Sequence, residues 1–211
     1  MADDAGDLVT LTLDDVTLEG RLAVPPDATG LVAFAHGSGS SRLSPRNGYV
    51  AGVLRERGLG TLLFDLLTED EDRSRETRFD VDLLTDRLVG ATEWLRGREA
   101  TRDLRLGYFG SSTGAAAALS AAARLGDDVD AVVSRGGRVD LAGDALADVR
   151  APTLFVVGGA TPAGLNRAAR AELGAPSELA VVDGADGRFD SRDDLAALAE
   201  RVTSWFDDHL G

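Results

Sequence analysis

A serine stands between two glycines where an apolar segment gives way to a run of alanines. Residues 107–119 read GYFGSSTGAAAAL, so that Ser112 occupies the centre of a G-x-S-x-G pattern. This pattern holds a serine on a sharp strand-to-helix turn, where small neighbours leave its hydroxyl accessible. The backbone N–H of Thr113, at the helix N-terminus, then points to the position where an oxyanion forms. These residues predict acyl chemistry with Ser112 as the nucleophile.

A second glycine-rich turn follows an earlier apolar segment. Residues 35–41 read AHGSGSS, and a turn at this place supplies the other backbone donor of an oxyanion site. The N–H of Ser38 is the candidate donor. Taken singly, each turn also fits plain strand-to-helix geometry. Their joint occurrence in this order favours the catalytic interpretation.

The apolar segments predict an α/β protein with eight strands. Two segments near the start predict an antiparallel hairpin, and the later ones alternate with helical patterns, which is typical of a parallel sheet covered on both faces. The predicted strands are 8–13, 17–24, 31–36, 61–66, 104–109, 131–135, 153–158 and 178–183. The predicted helices are 45–57, 79–95, 112–125, 141–147, 164–173 and 193–210.

The length of 211 residues predicts one domain, 1–211. The charged stretch 68–78, TEDEDRSRETR, is predicted to be a solvated loop or the approach to a helix, with a lid over a pocket as the alternative.

Three of these segments resemble a known family. FAHGSGSS, GYFGSSTGAAAAL and SRGGR are similar to segments of the dienelactone-hydrolase-like branch of the α/β-hydrolase superfamily, and the similarity runs from about Leu8 to the C-terminus. The resemblance implies an α/β-hydrolase fold, with a mostly parallel eight-stranded sheet, an N-terminal antiparallel hairpin and helices on both faces. It also implies ester or lactone hydrolysis through a serine, with an acid after the seventh strand and a histidine after the eighth.

Other residues occupy those two positions in this chain. The family's aspartate position falls on Ala160 or Thr161, and its histidine position falls on Gly187. Asp186 and Asp190 lie nearby, but a carboxyl group with a pKa of about 4 is a poor base for a serine hydroxyl. Loss of a triad histidine costs on the order of 10⁶ in kcat, while an oxyanion site and binding retain roughly 10³ to 10⁴ over water. We therefore expect a degenerate triad and weak hydrolysis.

The chain has two histidines, His36 and His209. His209 lies near the end of the last predicted helix, roughly 24 Å from its start, which is the wrong end of the sheet for catalysis. His36 precedes the Ser38 turn, where the resembling family uses histidine to brace the loop. Because His36 is at the correct edge, a substitute base or a ligand-binding group is its alternative role.

Two arginines follow the sixth predicted strand. Arg135 and Arg138 in SRGGR are candidates for holding an anionic group of a substrate in a bidentate manner. The alternative is that they pair with Asp140 or Asp144 and brace the loop.

Three further charged residues are placed near the same edge. Arg42 and Arg46 follow the Ser38 turn and are expected to add positive potential at the mouth of the site. Asp65 ends the fourth strand, and we expect it to bond to a neighbouring loop, with replacement of the missing acid as the alternative.

The charge balance excludes several classes of partner. There are 36 acidic residues against 22 basic ones, all of them arginine, and the net charge is −14. Such a surface repels phosphates and anionic lipids, which argues against binding to nucleic acid or to a membrane. Neither a signal sequence nor an apolar run of membrane-spanning length is evident, which favours a cytoplasmic protein.

No cofactor is expected from the sequence. Cysteine is absent and the two histidines are far apart, so a metal site is disfavoured. The glycine-rich segments lack the spacing of dinucleotide-binding and phosphate-binding loops. No segment marks a dimer interface or a protein partner.

Two functional hypotheses follow. The first is a weak serine hydrolase of esters or lactones, with Ser112 as nucleophile, the Ser38 and Thr113 amides as oxyanion donors, and His36 and Arg135 as candidate substrate-binding residues. The second is a catalytically inactive relative that binds a small, anionic ligand in the same place.

The acidic, lysine-free composition predicts adaptation to high salt, because concentrated ions screen the self-repulsion of a strongly charged chain. The melting temperature should therefore rise as KCl is raised toward molar concentrations. A melting temperature that does not change with KCl would instead indicate that the composition reflects a codon bias toward Arg, Ala, Gly and Asp.

Overall fold

A computed structural model of the protein describes residues 6–13, 16–159 and 163–211. Within these residues, eight strands form one sheet in the order β1-β2-β4-β3-β5-β6-β7-β8. The strands are β1 (Asp7–Leu13), β2 (Val16–Ala23), β3 (Gly30–Ala35), β4 (Gly60–Phe64), β5 (Arg105–Ser111), β6 (Ala131–Arg135), β7 (Thr153–Gly158) and β8 (Ser177–Val182).

The N-terminal part of the sheet is antiparallel and the remainder is parallel. Strand β1 pairs with β2, and β2 pairs with β4, in the antiparallel sense. The pairs β3–β4, β3–β5, β5–β6, β6–β7 and β7–β8 are parallel. This arrangement confirms the predicted mostly parallel sheet with an N-terminal hairpin.

Helices cover both faces of the sheet, as predicted. The α-helices in the described residues are α1 (Pro45–Glu56), α2 (Arg75–Arg78), α3 (Val81–Arg96), α4 (Thr113–Leu125), α5 (Gly164–Glu172) and α6 (Arg192–Leu210). One core cluster contains α3, α4 and α5, and the other contains α1 and α6. Every residue of β3 is buried between these layers, which explains why its sequence is apolar without alternation.

Two predicted segments differ in detail from the structure. The predicted helix 141–147 is a longer 3-10 segment, Val139–Asp148, which is interrupted by Gly143 at a φ of 51°. The charged stretch 68–78 contains a short 3-10 turn, Glu71–Arg73, and then α2. Helical pieces this short contain few helical hydrogen bonds and no repeated amphipathic period, so the sequence gives little indication of them.

None of the helices in the described residues is both long enough and apolar enough to cross a membrane.

Close backbone contacts fix the position of α4 on the sheet. A β-carbon added to Gly114 would lie 2.2 Å from the carbonyl oxygen of Ala35 and 2.5 Å from that of His36. One added to Gly110 would lie 2.5 Å from the Cα of Ala115. Only glycine permits these approaches. The start of α4 is thereby held against the end of β3, which brings the two predicted turns together.

The contacts of Gly114 predict opposite effects for two glycine-to-alanine substitutions. Gly114→Ala should lower the free energy of unfolding by roughly 1–3 kcal/mol or more, because its methyl group meets backbone that cannot yield easily. In contrast, Gly48→Ala in α1 should raise it by about 0.4–1 kcal/mol, because nothing lies within 4 Å of the added carbon. Urea unfolding of both variants measures these changes. Equal stability of Gly114→Ala and the parent would contradict the proposed contact.

Candidate active site

Ser112 lies on a sharp turn between β5 and α4. Its backbone has a φ of 52° and a ψ of −123°, a combination that residues other than glycine rarely adopt. The residue is half-buried at the carboxyl edge of the sheet. A β-carbon placed on Gly37 would lie 2.7 Å from the Ser112 Cβ and 3.5 Å from its Oγ. The serine side chain therefore lies directly against the turn that follows β3.

The two candidate oxyanion donors are in different situations. Thr113 is the first residue of α4, so its N–H belongs to the group of helix-terminal amides that have no intrahelical acceptor. The Ser38 N–H instead donates a hydrogen bond of 3.1 Å to the side-chain oxygen of Thr113. The Thr113 side chain is fully buried. One of the two predicted donors, the Ser38 N–H, is thus already bonded to the hydroxyl of the other donor residue, Thr113.

His36 uses both of its ring nitrogens to brace this turn. The N–H of Leu66 donates to Nε2 at 2.9 Å, so Nε2 is an acceptor, and Nδ1 donates to the carbonyl oxygen of Gly37 at 3.1 Å. Burial lowers the pKa of His36, and only 6% of the residue is exposed. His36 is therefore a neutral histidine in a structural role, which is the role that the family resemblance implied.

His209 lies at the opposite end of the sheet from Ser112. Its ring stacks on Trp205 at a centroid distance of 4.2 Å, and its Nδ1 lies 2.7 Å from the Trp205 carbonyl oxygen. The carbonyl of His209 accepts from the side chain of Arg105, the first residue of β5, whereas Ser112 follows the last residue of that strand. The strand separates them by about 20 Å, as expected from the sequence.

The loop after β8 contains Gly187 and is stabilised by its own aspartate. Asp186 accepts hydrogen bonds from the N–H groups of Arg188 and Phe189, at 2.9 and 2.7 Å. These bonds, that of Arg188 foremost, hold the pKa of Asp186 below its usual value. The carboxylate is therefore an even poorer proton acceptor than an ordinary aspartate. Ala160 and Thr161, at the family's acid position, lie outside the described residues.

Gly187 lies over the end of β6, near the SRGGR segment. Its carbonyl oxygen is 3.2 Å from the position of a β-carbon on Gly136. Two residues further along, the N–H of Arg138 donates to the carbonyl oxygen of Ser112 at 3.1 Å. The loop after β8, where the family has its histidine, is thus separated from the Ser112 turn by one segment, residues 136–138.

Arg138 takes the bracing role that was the alternative to ligand binding. Its guanidinium forms two hydrogen bonds to Asp140, of 2.9 and 2.7 Å. This pairing raises the pKa of Arg138 and lowers that of Asp140. Because both side chains are substantially exposed, the pair contributes little to stability.

Arg135 lies in a more unusual electrostatic environment. Burial, together with the nearby positive charge of Arg46, lowers its pKa to about 10. Asp190 acts in the opposite direction and also forms an ion pair with Arg46. Arg135 itself donates a long hydrogen bond of 3.4 Å to the carbonyl of Arg188. Asp190 is therefore paired with Arg46 and only influences Arg135 electrostatically.

Arg42 is neutralised by acids instead of adding free positive potential. It forms ion pairs with Asp65 and Glu19, and its backbone N–H donates to Asp65 at 2.7 Å. Asp65 thus bonds to a neighbouring loop, as expected.

A cleft of about 430 Å³ lies on the far side of the His36 turn. Within the described part of the chain, its lining does not include Ser112. Its residues come from β2, the turn after β3 and the segment after β4: Thr17, Leu18, Glu19, His36, Ser40, Ser41, Arg42, Asp65, Leu67, Thr68, Glu69 and Asp72. Sequence reasoning missed the contribution of residues 67–72, because a charged loop gives no sign of which side chains turn inward.

A second, much smaller space lies beside the Ser38 turn. It is lined by His36, Gly37, Ser38, Leu67, Asp72, Arg78, Leu84 and Thr113. Sequence reasoning also missed Arg78, whose Nη1 lies 3.8 Å from the position of a β-carbon on Gly39. Among the described residues, no group of three or more metal-ligating side chains is assembled.

Solved structures agree on the fold. No protein-family model matches the chain. The crystal structure of dienelactone hydrolase from Anabaena variabilis is 48% identical, with a TM-score of 0.94, and the match covers 97% of this chain and 98% of that one. Est1E from Butyrivibrio proteoclasticus shares the fold at 16% identity, with a TM-score of 0.81 and coverage of 95% and 98%.

Two curated relatives come from strains of Mycobacterium tuberculosis and are named, provisionally, phosphoribosyl transferases. Each is 50% identical over 204 residues, which is 96% of this chain and 46% of the relative. The chain therefore spans about half the length of these relatives.

The Anabaena match extends over nearly all of both chains, and the serine turn, the glycine-rich turn and the sheet order are those expected of its fold. This protein belongs to the dienelactone hydrolase family, with the α/β-hydrolase fold.

Proposed function

We propose that the protein is a weak serine hydrolase of small carboxylic esters or lactones. The observation that carries this proposal is the backbone of Ser112, held at a φ of 52° at the head of α4 and pressed against Gly37. Strain of this kind persists only where the surrounding structure maintains it, and it presents a hydroxyl at the sheet edge.

The proposed reaction proceeds in two steps. The Ser112 oxygen attacks the carbonyl carbon, the Thr113 and Ser38 amides donate to the developing oxyanion, and collapse of the intermediate expels the alcohol and leaves an acyl-serine. Water then attacks the acyl-serine, which releases the carboxylic acid and restores the hydroxyl. Solvent receives the serine proton and supplies the proton for the alcohol, because His36 is committed to Leu66 and Gly37.

The lack of an imidazole base sets the expected rate. Removal of a triad histidine lowers kcat by on the order of 10⁶, while the remaining oxyanion site and binding retain about 10³ to 10⁴ over the rate in water. We therefore also propose that the catalytic triad is degenerate, with Thr161 at the family's acid position and Gly187 at its histidine position.

A small aryl ester is the proposed substrate class. Est1E, which shares the fold, has been solved with ferulic acid bound. The cleft beside His36 has a size typical of small-molecule sites, and Leu18 and Leu67 give part of its wall an apolar character. An acyl or aryl group of a few atoms would fit in this cleft, on the other side of the His36 turn from Ser112.

A second candidate function is binding of a small anionic ligand without turnover. The observation that favours it is the position of Arg135 within the electrostatic influence of Arg46, whose own ion pair is with Asp190, because a phosphate or carboxylate would relieve the repulsion between the two guanidinium groups. The relatives named phosphoribosyl transferases are consistent with such a ligand. We further propose that either function is exercised in the cytoplasm.

Turnover of a short aryl ester in molar KCl should depend on Ser112. The Ser112→Ala variant should lose the whole rate above background, because it lacks the proposed nucleophile, whereas Ser111→Ala should keep a measurable rate and serves as the matched control. Initial rates of alcohol release provide the measurement. Identical rates for the parent and Ser112→Ala would eliminate the hydrolase and favour the ligand-binding function.

Restoring the family's side chains should increase that rate. The double substitution Gly187→His with Thr161→Asp should raise kcat by two orders of magnitude or more, since general-base catalysis alone contributes roughly 10² to 10⁴. The gain should titrate with a pKa of about 6.5, which is absent in the parent. Absence of any gain in a variant whose melting temperature is unchanged would argue that the cleft is not organised for acyl transfer.

A further inference from the structure

The side chain of Thr113 makes a contact that its sequence position does not require. Its oxygen accepts the 3.1 Å hydrogen bond from Ser38, a residue 75 positions away in the chain. Thr113 begins α4 and is fully buried. The bond therefore joins the start of the nucleophile helix to the turn after β3 through one specific N–H.

That N–H is also the donor which the proposed hydrolysis assigns to the oxyanion. A backbone amide carries a single hydrogen, and sharing it between two acceptors weakens both interactions. In the free protein, the Thr113 hydroxyl already satisfies this hydrogen. A substrate carbonyl must therefore compete with an acceptor that belongs to the protein itself.

The Thr113 and Ser112 side chains have different surroundings. The space that Thr113 lines with Ser38 is closed by Leu84, Asp72 and Arg78, from α3 and the segment before it. The Ser112 side chain lies instead against Gly37. The bonded pair of Ser38 and Thr113 thus borders a space whose described lining does not include Ser112.

We propose that the Thr113 hydroxyl competes with substrate for the Ser38 amide. The hydroxyl engages one of the two proposed oxyanion donors until a stronger acceptor displaces the hydroxyl. This inference rests on the proposed hydrolase function. It also predicts a selectivity. A charged oxyanion forms hydrogen bonds roughly twice as strong as those of a neutral acceptor, so activated esters, whose tetrahedral intermediates form readily, displace the hydroxyl more effectively than unactivated esters or amides do.

The matched substitutions Thr113→Val and Thr113→Ser test the competition. Valine has the same shape without the acceptor, so the Ser38 N–H becomes free and kcat/KM for a short aryl ester should rise roughly three- to tenfold. Serine keeps the acceptor, so its kcat/KM should stay within about twofold of the parent. The melting temperature of Thr113→Val should fall at the same time, because a native hydrogen bond is lost. A purely structural role would lower both quantities together.

A fall in kcat/KM for Thr113→Val, with normal activity of Thr113→Ser, would overturn the proposal. It would show that the hydroxyl assists catalysis, by maintaining the turn or by donating to the oxyanion, instead of opposing it.

Amide hydrogen exchange of Ser38, measured without substrate, separates this proposal from the hydrolase function. Protection of the Ser38 amide should drop at least tenfold in Thr113→Val and be retained in Thr113→Ser. Unchanged protection in the valine variant would refute the competing bond even if Ser112-dependent turnover is found. If protection is lost as expected but no Ser112-dependent turnover is found, the hydrogen bond in the parent protein is confirmed, but its role as a competitor of substrate is refuted.

Discussion

The arrangement of the site depends on the close approach of the α4 N-terminus to the end of β3. The Gly114 position lies so near the carbonyl oxygens of Ala35 and His36 that a methyl group cannot be placed there, and Gly37 is similarly close to Ser112. These contacts are to backbone atoms or to a Cβ, whose positions no rotamer change can alter. They align the strained serine, the first amide of the helix and the Ser38 turn. Both catalysis and ligand binding at this edge would depend on that alignment.

His36 and Thr113 stabilise this alignment from two sides. The imidazole links the turn after β3 to the segment after β4 through the Leu66 N–H, and the threonine hydroxyl links the same turn to α4. Each polar group is buried and hydrogen-bonded, as buried polar groups need to be. The same bonds engage the groups that chemistry would need: both ring nitrogens of the histidine are hydrogen-bonded, and so is the Ser38 N–H, the candidate oxyanion donor. Order in the free site is thus achieved at the expense of reactivity.

The sequence predicted the fold well because the signals involved were local. Apolar runs gave the strands, and the glycines around Ser112 and Ser38 marked the turns where backbone must approach backbone. Strand β5 ends two residues later than predicted, because Ser111 still pairs with Arg135 of β6, and such pairing depends on a neighbour that is distant in sequence. The Ser38–Thr113 bond and the inward side of residues 67–72 were missed for the same reason. Side-chain hydrogen bonds across the fold leave no periodic pattern in one sequence.

The distribution of charge limits what the site can bind. Arg42 is paired with Asp65 and Glu19, and Arg138 with Asp140, so an anion near either guanidinium would have to displace a carboxylate already in place. The cleft beside His36 adds Glu69 and Asp72 to this negative potential. Arg135 differs, because its pKa is lowered first by burial and then by the nearby positive charge of Arg46. An anionic substituent would therefore be directed to the β6 side of Ser112, while the acid-lined cleft on the β4 side would accept the neutral part of a ligand. An ester whose acid portion carries a second carboxylate should for this reason bind in one orientation only, with that carboxylate toward Arg135.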